Sequence, residues 1–147
     1  MTDDATPTAL RETIRARGHE HVSAEHASTF EVTTDDWLTP AGDCILAVEA
    51  DRAPADFAPE FVEACRDHDA TITVRIAADG HEAVVRGQGH PELRCGSDRS
   101  LVCRTSDYVD DRTVLVGADA AAADLDRELV AALAGCAAAT VTLAVEL

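Results

Sequence analysis

The segment TIRARGH at residues 13–19 returns as VVRGQGH at residues 84–90, 71 positions further along the chain. Arginine, glycine and histidine stand at the same places in both segments, and the apolar positions match in kind. A chain that repeats itself builds its fold from one unit used twice. This pair of segments therefore decides the architecture that we expect.

Further matches follow in the same order along the chain, with a change in length of three residues and later a slip of one. The longest is ADRAPADF at residues 50–57, which matches ADAAAADL at residues 118–125. The others pair residues 29–32 with 100–103, 43–48 with 111–116, 60–62 with 128–130 and 71–74 with 140–143. We predict an internal duplication, with repeat one at residues 11–78 and repeat two at residues 82–147.

Each repeat is predicted to contain three strands, a helix and a closing strand. Alternation of apolar and polar residues indicates the first two strands, and a continuous apolar run indicates a third strand that is buried on both faces. Pro54 suits the first turn of a helix, and apolar residues then recur at helical spacing. The predicted strands are 11–18, 28–33, 44–49 and 71–76 in repeat one, and 82–89, 99–104, 112–117 and 140–145 in repeat two.

These elements predict an α+β fold in which a mixed sheet carries two helices that are related by a pseudo-two-fold axis. Asp79-Gly80 is typical of a hairpin turn and joins the two repeats. If the strands flanking each helix pair in parallel, their connection is a right-handed crossover. We expect residues 1–147 to form a single domain, with residues 1–9 as a flexible acidic tail.

The charge of the chain is strongly negative. Asp and Glu total 28 against 12 basic residues, all of them arginine, which gives a net charge of −16. Because molar salt screens the self-repulsion of such a chain, we predict a cytoplasmic protein of a halophile. The sequence shows no basic patch with interleaved aromatic residues, so we expect no binding to nucleic acid or to a membrane. No glycine-rich nucleotide motif is present, and we expect no cofactor.

Three longer segments resemble a known family. They are RARGHEHVSAEHASTFEVT from residue 15, DDWLTPAGDCILAVEAD from residue 35 and SDYVDDRTVLVGADAAAADLDREL from residue 106. The chain resembles the archaeal domain-of-unknown-function family 371 over nearly its whole length from residue 11. The resemblance implies an archaeal cytosolic protein and supplies no activity or catalytic residues. Relatives often carry lysine after each of two aspartates, where this chain has Arg52 and Ala120, so the cation is not kept at both places.

The paired Arg-x-x-Gly-His motifs are the strongest candidates for a site. Arginine carries a planar fork suited to phosphate or carboxylate, glycine permits close backbone approach, and histidine can titrate, donate or bind metal. A pseudo-two-fold axis could bring the two motifs together in an electropositive pocket. Alternatively, each arginine pairs with an aspartate of its own repeat and each Gly-His ends a strand. The expected ligand-binding residues are Arg15, Gly18, His19, Arg86, Gly89, His90, Asp51 and Asp119.

Three further features admit two interpretations each. Asp51 and Asp119 end buried strands, where open α/β sheets bind ligands, but we favour a role as helix N-caps. His19 and His26 are weak metal candidates, since no spacing typical of a metal site accompanies them. Cys44 is a nucleophile if a histidine activates it, and otherwise a buried strand residue.

The motifs predict a protein that binds a small molecule carrying a phosphate or carboxylate group. One alternative is an enzyme that uses the same pocket, with a histidine as general acid or base. Another is a structural or assembly subunit that needs no ligand. We expect a homo-oligomer, for which an exposed Trp37 or Tyr108 would suit an interface. The ligand, the reaction and the oligomeric state stay open.

Overall fold

The computed structural model describes residues 10–146, and both predicted repeats contribute the same order of elements to them. The strands are β1 (Arg11–Arg17), β2 (Thr29–Thr33), β3 (Ile45–Ala47), β4 (Thr71–Ala78), β5 (His81–Gln88), β6 (Ser100–Arg104), β7 (Thr113–Leu115) and β8 (Ala138–Glu146). The helices are α1 (Pro59–Cys65) and α2 (Arg127–Ala134). The α+β class is confirmed, and every predicted strand is found. The acidic tail predicted at residues 1–9 lies outside the described residues.

Each predicted helix is split into a 3-10 turn and a shorter α-helix. The turns are Pro54–Asp56 and Ala122–Asp124. Pro59 begins α1 and keeps Ala58 in an extended conformation, which separates the two pieces. The Asp56 carboxylate accepts a hydrogen bond from the backbone N–H of Ala53 at 2.9 Å and so closes the 3-10 turn. Asp124 does the same for Ala121 at 2.9 Å.

The strands form two four-stranded sheets rather than the one sheet that we expected. Sheet A has the order β1-β8-β4-β5 and is antiparallel throughout. Sheet B has the order β3-β2-β6-β7, with parallel outer pairs around an antiparallel centre. The strand–helix–strand unit of each repeat links the two sheets, because β3 and β7 belong to sheet B while β4 and β8 belong to sheet A. The strands that flank each helix therefore do not pair with each other, and the right-handed crossover expected for a parallel pair is not formed.

Strands of the two predicted repeats alternate across sheet A. β1 and β4 come from repeat one, and β8 and β5 come from repeat two. Corresponding strands occupy corresponding positions about a line between β4 and β8, and about a line between β2 and β6 in sheet B. This arrangement is compatible with the predicted duplication. Neither repeat forms its own sheet, so each needs the other for its hydrogen-bonding partners.

A contiguous hydrophobic core lies between the two sheets and the helices. Sheet A has one buried face and one solvent face, as the alternating burial along β1, β4 and β8 shows. The helices pack on its buried face. The largest fully buried side chains include Ile14, Ile72, Ile76 and Leu143 from sheet A, Phe61, Leu129 and Leu133 from the helices, and Phe30, Leu46, Leu101 and Leu115 from sheet B.

Candidate functional site

The two Arg-x-x-Gly-His motifs lie at opposite edges of sheet A. Arg15 is on edge strand β1 and Arg86 is on edge strand β5, with β8 and β4 between them. Neighbouring strands are about 4.8 Å apart, so at least ~14 Å separates the two backbones. β1 and β5 also run in opposite directions, and their Gly-His ends point to opposite ends of the sheet. The expected single pocket with two arginines and two histidines is therefore wrong.

The glycines of the motifs hold helix ends against the sheet. A Cβ atom on Gly18 would overlap the backbone carbonyl of Leu133 at the end of α2. A Cβ atom on Gly89 would overlap the backbone carbonyl of Cys65 at the end of α1. Each glycine thus lets a helix of the other repeat approach, and this contact leaves no room for a ligand at the glycine itself. Both residues are buried.

The histidines of the motifs close the turn that follows each edge strand. His19 accepts a hydrogen bond at Nδ1 from the backbone N–H of His21 at 3.1 Å, and His90 accepts one from Glu92 at 3.0 Å. A nitrogen that accepts in this way is unprotonated, so the proton of the neutral ring is on Nε2. Both rings are partly exposed. Their Nε2–H groups remain available as donors to solvent or to a ligand.

His26 has an equivalent turn-closing role. Its Nδ1 accepts from the backbone N–H of Thr29 at 3.1 Å and from the Thr29 hydroxyl at 3.0 Å. The corresponding residue of repeat two, Ser97, uses its hydroxyl in the same way for Arg99 and Ser100. Within residues 10–146, neither His19 nor His26 belongs to a group of three close metal-binding side chains.

A different group of possible metal ligands is formed by His81, Asp126 and Glu128. Asp126 caps α2 by accepting from the backbone N–H of Glu128 at 3.4 Å, and both carboxylates are exposed. Acidic residues are favourable at a helix N-terminus without any metal, because they complement the helix dipole. This arrangement therefore needs no ion to explain it.

Asp51 and Asp119 close the edges of sheet A instead of capping helices. The Asp51 carboxylate accepts from the backbone N–H of Arg15 at 2.9 Å, and the Asp119 carboxylate accepts from that of Arg86 at 3.0 Å. Each aspartate N–H in turn donates to the carbonyl of the same arginine, at 2.9 Å in both repeats. The N-cap interpretation is wrong because the residues before the 3-10 turns are Ala53 and Ala121. The aspartate of each Ala-Asp motif thus supplies hydrogen-bonding partners to backbone groups of an edge strand that would otherwise be unpaired.

A shallow groove of about 310 Å³ opens beside edge strand β1. It is lined by Arg15, Ala16, Arg17, Glu49 and Asp51. Within the described part of the chain, the side chains of Arg15, Arg17 and Glu49 form no ion pair, and the Asp51 carboxylate binds only the backbone N–H of Arg15. Two basic and two acidic residues therefore line one groove without forming an ion pair with one another.

The same place in repeat two has half of these charges. Arg86 and Asp119 match Arg15 and Asp51, but Gln88 stands in place of Arg17 and Gly117 in place of Glu49. Glu49 has a φ of 57°, and Gly117 has a φ of 59°. This left-handed conformation suits glycine and costs about 1 kcal/mol or more for other residues. Repeat one thus carries a strained glutamate where repeat two carries the residue that the backbone prefers.

Several arginines gather on the solvent face of sheet A, which we call the arginine face. Arg11 and Arg86 share one row across the sheet, with Ala144 and Thr73 between them. The arginine face consists of Arg11, Arg15, Arg17, Arg75 and Arg86. Of these, Arg75 is paired with Glu82 at 2.9 Å. The sequence revealed no basic patch because β1 is distant in the chain from the β4–β5 hairpin that carries Arg75 and Arg86.

Cys44 does not have the surroundings of a nucleophile. Its thiol donates to the Glu31 carboxylate at 3.6 Å. Burial and the neighbouring Glu31 charge raise the pKa of Cys44 to about 11. A thiol of this kind stays protonated at neutral pH, which argues against a nucleophile. The alternative of a buried strand residue is also wrong in detail, because Cys44 lies in the turn before β3 and is only partly buried.

Residues 14–146 match the family described as a domain of unknown function, DUF371. The chain is a member of the DUF371 family. A similar DUF371 relative, an uncharacterised protein of Methanocaldococcus jannaschii, is 39% identical over 117 residues, which are 80% of this chain and 86% of the relative. The resemblance seen in the motifs is thereby confirmed at the level of the family, with a relative from an archaeon.

The helices of this DUF371 protein that the structure describes are short. None of them has the length and apolar character to cross a lipid bilayer.

Proposed function

We propose that this DUF371 protein binds a small molecule with a phosphate or carboxylate group in the groove beside β1. The observation that carries the proposal is the pair of guanidinium groups of Arg15 and Arg17. Residues two apart on a strand point to the same side, so the two groups flank one position. Guanidinium groups bind phosphate and carboxylate oxygens through paired, charge-assisted hydrogen bonds. Because neither side chain has an ion-pair partner among residues 10–146, both are available to a ligand.

The remaining residues of the motif position the arginines. The Asp51 carboxylate fixes the backbone of Arg15, and Gly18 lets α2 lock the end of β1. His19 closes the turn after β1 and keeps Nε2–H free as a donor. We assign the same positioning contacts to the equivalent residues of repeat two, which are Arg86, Gly89, His90 and Asp119. The site in repeat two has one arginine instead of two, so it binds an anion more weakly.

The arginine face supports an anionic ligand. It places five arginines against two exposed glutamates, Glu82 and Glu146, on one face of a chain with a net charge of −16. Charged groups gathered on one side raise the local concentration of oppositely charged ligands and speed their association. An anion that approaches this face meets Arg15 and Arg17 at its β1 edge.

The experiment is a thermal-unfolding titration in about 2 M KCl with inorganic phosphate, citrate and a panel of phosphorylated metabolites. The R15Q/R17Q variant is compared with wild type, and R86Q is the matched control from repeat two. Ligand at a hundred times its Kd adds about 2.7 kcal/mol, which raises Tm by several degrees in a chain of this size. The proposal predicts a shift in wild type and R86Q that is lost in R15Q/R17Q. A shift that survives in R15Q/R17Q, or no shift with any compound, contradicts it.

We also propose that the protein works in the cytoplasm of a salt-adapted cell. The support is the composition, with 28 acidic residues and no lysine. Salt screens the repulsion among these carboxylates, so Tm is expected to rise continuously between 0.2 and 3 M KCl. A Tm that is unchanged over this range would contradict the proposal.

A further inference from the structure

We infer that the ligand of the groove carries an amine as well as its phosphate or carboxylate group. This inference rests on the proposed function and adds the chemical class of the ligand. A short molecule with an anionic group at one end and an ammonium group at the other fits the charges that line the groove.

The first argument is the balance of charge in the groove. Arg15 and Arg17 face it together with Glu49 and Asp51. A ligand that is only anionic gains from the two arginines but is repelled by the two carboxylates. An ammonium group on the same ligand converts that repulsion into attraction, and it supplies donors that the carboxylates lack.

The second argument is the strained backbone at Glu49. Repeat two adopts the same left-handed conformation with Gly117, for which the conformation carries no steric cost. Ala24, Asp79, Cys95 and Cys136 also have a positive φ, so the conformation alone does not mark a binding residue. Glu49 is distinguished because repeat two has glycine at the equivalent position and because Glu49 lines the groove. The glutamate therefore occupies this position at a cost in stability that glycine would avoid.

The third argument is that the additional arginine and the additional glutamate occur in the same repeat. Repeat one has both Arg17 and Glu49, whereas repeat two has Gln88 and Gly117 in their places. An ion pair between Arg17 and Glu49 would explain this without a ligand, but the two side chains do not meet within 4.0 Å in the structure. Each of the two groups is left to bind one end of a ligand with two charges.

The test compares pairs of probes that differ by one amine. Isothermal titration calorimetry in 2 M KCl measures the Kd of phosphoethanolamine against ethyl phosphate, and that of β-alanine against propionate. The first pair reports a phosphate group and the second a carboxylate group. We expect the amine to tighten the binding of at least one pair by about tenfold, which is about 1.4 kcal/mol.

Variants assign that preference to the glutamate. E49Q removes the charge and keeps the shape, and E49G restores the residue that repeat two uses. Both are expected to reduce the tenfold preference to less than about threefold while the probe without an amine binds no more weakly than to wild type. E92Q removes an exposed charge outside the groove and is expected to leave the preference unchanged.

The outcomes separate this inference from the proposed function. If the two probes of each pair bind wild type with the same Kd, and R15Q/R17Q abolishes the binding of both, the anion site stands and the amine is excluded. If the preference survives in both E49Q and E49G, Glu49 is not its source and the inference fails. If no probe binds and none of the anion panel shifts Tm, the proposed function fails with it.

Discussion

Asp51 and the backbone of Arg15 are joined by two hydrogen bonds of 2.9 Å, one through the Asp51 carboxylate and one through the Asp51 backbone N–H. The Asp51 side chain accepts from the Arg15 N–H, and the Asp51 N–H donates to the Arg15 carbonyl. Asp119 and Arg86 form the same pair at the opposite edge of sheet A. Each aspartate therefore ties the segment after a sheet B strand to an edge of sheet A, and it holds the candidate arginine in place.

Removing the Asp51 carboxylate is expected to destabilise the protein. D51A leaves the Arg15 N–H without its acceptor, and because this edge is exposed to water we expect a loss of about 1 kcal/mol. D51N keeps a carbonyl oxygen as acceptor and should lose less than half as much. Urea unfolding in 2 M KCl measures both, and D119A provides the equivalent change in repeat two. If D51A and wild type have the same free energy of unfolding, Asp51 does not stabilise this edge of sheet A.

A methyl group at Gly18 is expected to be far more harmful than one at an open glycine. G18A places Cβ against the Leu133 backbone carbonyl, which cannot move aside as a flexible side chain would. We expect a loss of about 3 kcal/mol from the displacement of α2. The control is G80A in the hairpin, where φ is 81° and the added methyl group meets nothing within 4 Å. That variant should lose only about 1 kcal/mol. Similar losses in the two variants would show that Gly18 is not needed for close packing.

The buried ion pair of repeat one provides a test by double-mutant cycle. The Glu12 carboxylate is 6% exposed, contacts Arg52 at 2.6 Å and accepts from the backbone N–H of Ala58 at 2.8 Å. Repeat two has Ala83 and Ala120 in the corresponding places.

R52A leaves the Glu12 carboxylate buried without its cation, and we expect a loss of about 2 kcal/mol after allowing for the partial exposure of Arg52. E12A/R52A removes the charge as well and should recover about 1 kcal/mol of that loss. Unfolding free energies of the two single variants and the double variant complete the cycle. Strictly additive effects would mean that the pair contributes nothing as a pair.

The thiol of Cys44 is expected to react slowly with iodoacetamide. Burial and the Glu31 charge raise its pKa from 9.0 to about 11, so the thiolate at pH 7.5 is about a hundredfold scarcer than for an unperturbed thiol. Mass spectrometry of tryptic peptides follows the rate at this site, with a free cysteine peptide as reference. E31Q removes the neighbouring charge and should speed the reaction. Rapid alkylation in wild type would revive the interpretation of Cys44 as a nucleophile.

Local pattern was enough to predict the elements of the fold. The alternation in TIRARGH and VVRGQGH predicted β1 and β5 to within one residue at most ends, and the apolar runs located β3 and β7. The repeat also predicted that both halves contribute the same elements in the same order. These features depend on residues that are close together in the chain, so they can be predicted from a single sequence.

The pairing of strands was beyond the sequence, and the site depends on that pairing. Nothing local shows that β8 inserts between β1 and β4, which separates Arg15 from Arg86 and excludes the expected shared pocket. The arginine face also forms only when β1, β4 and β5 occupy their positions and register in sheet A. The role of Asp51 was missed because a carboxylate before a helix is commonly an N-cap, and the backbone that it does bind is 36 residues away.

The central claim is that Arg15 and Arg17 bind an anion, and NMR of the arginine side chains tests it most directly. All 12 basic residues are arginine, so the Nε–Hε region holds at most twelve signals, which single Arg→Gln variants assign. During a titration with phosphoethanolamine or inorganic phosphate in 2 M KCl, we predict that the signals of Arg15 and Arg17 shift together and saturate at one Kd. The Arg86 signal should shift less and without saturation in the same range. Saturating shifts confined to other arginines, or none at all, would contradict the account.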